Sequence, residues 1–313
     1  MATFGDIVRS VRLRAPAVPY LLAEDFVRES FQKAWDYRSS GWSMARRENK
    51  FSVALQKTGT ASVTNGSAAV TGVGITFATT DAGRQFRIGD NQPVYSIASV
   101  SALNNTAILD EAYQGVTAAT GDARILDAYV TMPVDFGKFL VVIDPQNFWQ
   151  LRHWITEEEL NSWDPQRSST TTPWALISRR ESTLAATLGQ RQYELWPYAT
   201  SANEYWMFYY TRPPTLVTDT ELLGLFSDRG DILRRGALAE CAAWPGLAEA
   251  KNPYFNNILA VRLHEQFIEE LARLEVIDED IYPTWWETVS WVDRDTFSPL
   301  DSRYLQSHDV PFS

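Results

Sequence analysis

The residues of this chain that could do chemistry are three histidines, His153, His264 and His308, a single cysteine, Cys241, and carboxylates spread along its length. A metal centre needs ligands at short paired spacings, and neither the histidines nor the lone thiol supply one. Gly72-Val73-Gly74 lacks the third glycine and the following helix of a dinucleotide fingerprint, and no Gly-Lys-Ser/Thr closes a phosphate loop. Carboxylate pairs of the glycosidase kind converge in space rather than in order, so sequence neither reveals nor excludes them. The expectation is a protein without catalytic residues, metal or cofactor, with Cys241 a small core side chain. The chemistry that remains is that of surfaces, charge and aromatic rings.

The charge is uneven. The net value of -11 argues against gripping DNA by phosphate neutralisation, which needs clustered Lys and Arg. Residues 1–56 nevertheless carry nine cations against six anions, whereas 264–313 carry twelve anions against three cations. Opposite-signed ends suit head-to-tail packing of identical subunits, with solvated surface charge as the plain alternative. Glu265, Glu269, Glu275, Asp278, Glu279 and Asp280 are the candidate residues for lining a lumen or an inter-subunit contact. Asp278, Glu279 and Asp280 fall at a helix C-terminus, where the dipole disfavours negative charge. Either the helix stops earlier, or these carboxylates meet cations from another chain, or the end is frayed and solvated.

The last stretch, 282–313, has three prolines and no sustained period, yet it carries Trp285, Trp286, Trp291, Phe297 and Tyr304. Disordered termini are poor in aromatics, and Trp is enriched at binding hot spots, so these five are candidate partner-docking residues. Packing back on the same subunit is the alternative; strand addition to a partner is one way such a tail docks.

The elements that position these residues can be read from periodicity. Thr3-Phe4-Gly5-Asp6 is a capping box before the helical face Phe4, Ile7, Val8, Val11, and a second helix is expected after Pro19. Near residue 58 the composition turns to small and β-branched residues with glycine turns, and Asn65-Gly66 signals a hairpin whose two turn positions both need positive φ. Further β-like runs and a short helix after Thr156 follow to Pro214. A helix then ends at Trp244-Pro245-Gly246, and a long amphipathic one opens at Asn252-Pro253, with Ile258, Leu259, Leu263, Phe267, Leu271 and Leu274 at helical spacing. The expected fold is α+β, a helical bundle with a long C-terminal helix, an inserted small β-barrel or sandwich, an antiparallel β region and an extended tail. Its segments are 1–57 (N-terminal helices), 58–128 (inserted β-domain), 129–226 (β-rich region), 227–281 (C-terminal helices) and 282–313 (tail). One cysteine allows no intramolecular disulfide framework, no secretion signal is readable, and no run of 18 apolar residues exists to cross a membrane.

Three stretches together resemble the head-to-tail adaptor, or connector, proteins of tailed double-stranded DNA bacteriophages, in particular the short-tailed kind. They are the N-terminal helical pair; Tyr193-Glu194-Leu195-Trp196-Pro197 followed by Tyr209-Tyr210-Thr211-Arg212-Pro213-Pro214; and Gly236 to Glu240 with Trp244-Pro245-Gly246 and Asn252-Pro253-Tyr254-Phe255. The β-insert is similar to modules common in phage structural proteins and departs from the minimal helical adaptors. The resemblance implies a dodecameric ring in the neck of the virion, below the portal vertex, with viral DNA passing through without sequence-specific binding. It also implies the portal protein and the tail tube or nozzle as partners, tail fibres as a further one, and no membrane. The rival readings are a tail-fibre or receptor-binding protein and a virion-borne cell-wall hydrolase.

Overall fold

The structure, a computed structural model, describes residues 2–38, 41–89, 93–221, 223–247 and 251–281, with the side chains of residues 225 and 279–281 outside that description. It is a mixed α+β chain. Five helices are described: α1 (Phe4–Arg14), α2 (Tyr20–Tyr37), α3 (Glu157–Trp163), α4 (Gly230–Ala243) and α5 (Asn257–Ile281). The strands are β1 (Arg46–Val53), β2 (Lys57–Val63), β3 (Ala69–Gly72), β4 (Gln85–Ile88), β5 (Tyr95–Ser101), β6 (Thr106–Leu109) and β7 (Ala118–Leu126). They continue with β8 (Tyr129–Thr131), β9 (Phe136–Asp144), β10 (Trp149–Gln150), β11 (Ala175–Glu181), β12 (Arg191–Trp196) and β13 (Asn203–Thr211). Two compact units result, one from Met1–Arg46 with the chain from Tyr210 through α5, the other from Arg47–Tyr209.

The first unit is helical. The capping box at Thr3 forms as expected: Asp6 N donates to Thr3 Oγ1 at 3.2 Å and Thr3 N donates to Asp6 Oδ2 at 3.1 Å. Such a cap contributes about 1 kcal/mol to starting a helix. Phe4, Ile7, Val8 and Val11 are buried on α1, and Ala23, Val27, Ser30, Phe31 and Ala34 on α2, the faces that the 3.6 period assigns to the core. α4 is enclosed on nearly all sides, with Ile232, Leu233, Gly236, Ala237, Leu238, Cys241 and Ala242 buried. One core joins α1, α2, α4 and α5, and within it Phe31 and Trp42 meet Phe226 edge-on at 5.9 and 5.5 Å. Gly236 sits where these helices close: a Cβ there would lie 2.9 Å from Ser30 Oγ and 3.1 Å from Phe267 Cε2.

In the second unit β2-β3-β6-β5-β4-β7 close into a barrel, filled by Val63, Val70, Phe77, Phe86, Ile97 and Ile125. Closure removes the unpaired edges that a small open sheet would expose. The hairpin at Asn65-Gly66 exists, but not with the expected turn. Among its turn residues only Gly66 has positive φ (79°), Ser67 N donates to Thr64 O, and Val63 pairs with Val70 across a wider loop. The Asn65 amide instead donates to Gly115 O at 2.9 Å, so a tertiary contact replaces the local turn preference.

Two further sheets, β1-β13-β9-β10 and β11-β12-β8, share a core of Val53, Met132, Phe136, Leu176, Leu195 and Met207. β1 corrects the expectation that 1–57 is purely helical. Its sequence, Arg46-Arg47-Glu48-Asn49-Lys50-Phe51-Ser52-Val53, shows little apolar alternation because it is an edge strand, exposed along most of its length. α3 begins where expected, with Thr156 Oγ1 accepting from Glu159 N at 3.2 Å. Tyr193-Glu194-Leu195-Trp196-Pro197 proves to be a structural device. Glu194 is fully buried, within 3.0 Å of Arg167 Nε and 3.2 Å of Arg179 Nε, and it accepts the Tyr198 hydroxyl. Nearby, Asp164 accepts from the Ser168 and Ser169 amides at 3.0 Å and from the Trp196 indole at 3.1 Å.

Candidate assembly interface

α5 has 25 residues, about 37 Å at 1.5 Å per residue. It starts later than expected. Asn256 is its N-cap, accepting from Ile258 N and Leu259 N at 3.0 Å, so the cap is not Asn252. Asn252 is buried and does something else: its amide donates to Cys241 O and Trp244 O at 2.8 Å, closing the end of α4, while its oxygen accepts from Tyr254 N. Pro253 therefore lies in the turn between the two helices, not at a first helical position.

The inward face of α5 is Phe267, Leu271 and Leu274, as the spacing predicts. Ile258 does not belong to it; it is 83% exposed. It heads a second apolar row, Ile258, Val261, Ile268 and Val276, which is exposed along the opposite face of the helix. At 100° per residue these four fall within one quadrant, over an axial length of about 27 Å. Sequence reasoning missed this row because one apolar period was enough to explain the helix. The signal was present as a second set of aliphatics offset from the first.

The predicted acidic residues part company. Glu265 is exposed within the outer apolar row, between Val261 and Ile268, and Glu269 is exposed beside it and pairs with Arg273 at 2.6 Å. Glu275 is half-buried, 3.9 Å from Arg38 Nε. Asp278 is 1% exposed and bound within its own subunit by the Arg38 guanidinium and the Ser43 hydroxyl, with Ser43 N donating to it at 2.9 Å. It therefore cannot line a water-filled lumen. The cation it meets comes from the same chain, an outcome outside the three readings that the sequence suggested. Arg38, 4% exposed, also lies over the Trp42 ring at 6.0 Å, so the pair ties the last turns of α5 to the segment leaving α2. The side chains of Glu279 and Asp280, and all of Trp285, Trp286, Trp291, Phe297 and Tyr304, fall outside the described residues.

On the same unit the corner between α1 and α2 carries a contrasting surface. Leu13 and Leu21 are 85% and 71% exposed, each opposite the buried face of its helix. Arg9, Arg12 and Arg14 are exposed around Leu13, with the Arg12 guanidinium 5.6 Å from the Tyr20 ring.

The rest of the chemistry is inward. Burial pushes the Cys241 thiol up to about 12, which leaves it protonated and unreactive at neutral pH. Burial likewise pushes His153 down to about 4, and that ring packs against Phe139 at 5.4 Å. Among the described residues no group of three or more His, Cys, Asp or Glu could hold a metal ion, and no helix is long and apolar enough to cross a membrane.

A family model described as SU10 adaptor protein matches residues 97–284, more than half of the 313-residue chain. The chain belongs to the SU10 adaptor protein family. No curated protein matches it. Membership makes it a phage structural adaptor, a virion component that binds other virion proteins. In this adaptor the matched stretch runs from within β5 through α5, taking in two of the three stretches on which the resemblance rested. The N-terminal helical pair and the first half of the barrel lie outside it.

Proposed function

We propose that this adaptor assembles into a closed, dodecameric ring in the neck of a short-tailed phage. The ring joins the portal protein above to the tail tube or nozzle below. The observation that carries this reading is the family match over 97–284, which includes both α4 and α5. In the assembled ring the helices of 1–57 and 227–281 form a bundle that builds the wall. Segment 129–226 supports that wall, and 282–313 is the tail that docks on the portal through Trp285, Trp286, Trp291, Phe297 and Tyr304. The barrel of 58–128 stiffens the neck or receives tail fibres. Viral DNA passes through the lumen without sequence-specific binding and without sticking, a property that the net charge of -11 favours. The role is structural, without catalysis.

Native mass spectrometry of the full chain, alone and with portal protein, tests the ring: a dodecamer is expected. A trimer would favour a fibre subunit and sink the adaptor ring. Co-sedimentation with portal, comparing the full chain with a truncation after Ile281, tests the tail. Equal binding by both refutes portal docking through 282–313. Clearing of a peptidoglycan suspension by the purified chain would revive the hydrolase alternative.

A further inference from the structure

α5 carries more apolar surface than its own subunit uses. Its inward face already closes the helical core through Phe267, Leu271 and Leu274, yet Ile258, Val261, Ile268 and Val276 are exposed on the other side, with Glu265 between Val261 and Ile268 and Ala272 between Ile268 and Val276. A helix face that only borders water has no reason to hold four aliphatics in line, and a channel lining for DNA would not be built from them. Glu265 stands within this row and makes no ion pair among the described residues, while Glu269, paired with Arg273 at 2.6 Å, and the exposed Arg262 lie along its border.

The corner of α1 and α2 is rich in cations, with exposed Leu13 and Leu21 beside Arg9, Arg12 and Arg14, of which Arg9 also pairs with Asp6 at 3.4 Å. The two patches lie on different helices of one unit. When one patch meets the other, apolar faces apolar and the Glu265 carboxylate faces guanidinium groups. A pairing of unlike patches is heterologous, the kind of contact that closes rings.

We propose that the outer face of α5 docks on the α1–α2 corner of a second copy of this chain, with Glu265 and Glu269 facing Arg9 and Arg12. This rests on the ring reading above and names the contact within it. It also assigns Glu265 and Glu269 to the subunit boundary and not to the lumen.

Charge reversal tests the pairing, because heterologous contacts can be broken from either side and repaired from both. One variant carries Glu265→Lys and Glu269→Lys, a second carries Arg9→Glu and Arg12→Glu, and a third carries all four. Each is examined as the full chain with portal protein by native mass spectrometry, with circular dichroism reporting that its helices are intact. Like charges juxtaposed across an interface oppose association, so each two-site variant is expected to lose the assembled species by about tenfold or more. The four-site variant, in which the signs are again complementary, is expected to regain it. If the two-site variants assemble like the wild type, or the folded four-site variant stays dissociated, the pairing is wrong while the ring stands. If the wild type itself never exceeds a monomer, with or without portal, the ring reading fails and this contact with it.

Discussion

Replacing Asp278 by alanine would leave Arg38, only 4% exposed, as a cation inside the helical unit with its main counter-charge gone. The loss has two parts. The Ser43 amide and hydroxyl lose their acceptor, and the guanidinium loses its nearest carboxylate, with Glu275 3.9 Å away. Removing one member of a buried ion pair costs about 3–5 kcal/mol, because the other charge stays desolvated. For a unit of this size that corresponds to a fall in melting temperature of about 10 °C or more. Thermal melts followed by circular dichroism would measure it, with Asp278→Leu and Arg38→Met combined as the control. Apolar side chains of similar volume remove both charges at once, so the double variant should melt well above the single one. A single variant melting within about 2 °C of wild type would refute the buried pair, given how steeply stability and melting temperature are linked. So would a double variant no better than the single.

Three further outcomes are expected. Gly236→Ala should destabilise the chain by about 1 kcal/mol, since the about 1 kcal/mol gained in helix propensity is outweighed by forcing Ser30 and Phe267 aside. Denaturant titration reads the sign, and a net stabilisation would show that the helices have room to part. Burial lowers the His153 pKa to about 4 from 6.5, so its contribution to stability is complete above the unfolded value and declines as pH falls from about 6.5 towards 4. A His153→Phe variant should flatten the melting profile in that window, and an unchanged slope would assign it to other groups. Burial alone would raise the Asp164 carboxyl, but the amides of Ser169 and Ser168 and the Trp196 indole outweigh it and hold the group down to about 2. The stability it provides is present above pH 4 and lost only below that, so Asp164→Asn should remove the steepest part of acid unfolding under pH 4. Melts at stepped pH would show it, and identical acid limbs in variant and wild type would count against the assigned hydrogen bonds.

How much of this was legible in the sequence depended on whether local rules met tertiary competition. The Thr3 capping box, the buried faces of α1 and α2, the Thr156 cap and the stop at Trp244 were readable, because each is decided by residues within a turn or two of one another. The barrel strands were readable as short β runs between glycine turns, though barrel and sandwich share that signature and only strand closure separates them. Asn252 was misread because two asparagines precede the helix within five residues, and propensity cannot tell which amide caps α5 and which closes α4. β1 went unread because an edge strand need not alternate.

Sequence alone suggested the class of the protein: few chemical residues, an acidic C-terminal end, helices early and late around a β-rich middle, and three stretches that resemble those of phage adaptors. Only the tertiary structure decided which carboxylate is which. Asp278 and Glu265 are thirteen residues apart on one helix, identical in formal charge, yet one is held inside its subunit by Arg38 and the other stands exposed within an unpartnered apolar row. Helical period assigns a residue to a face, but what that face meets depends on residues 240 positions away in the case of Arg38 and Asp278. That long-range pairing has no local signature for a sequence to display.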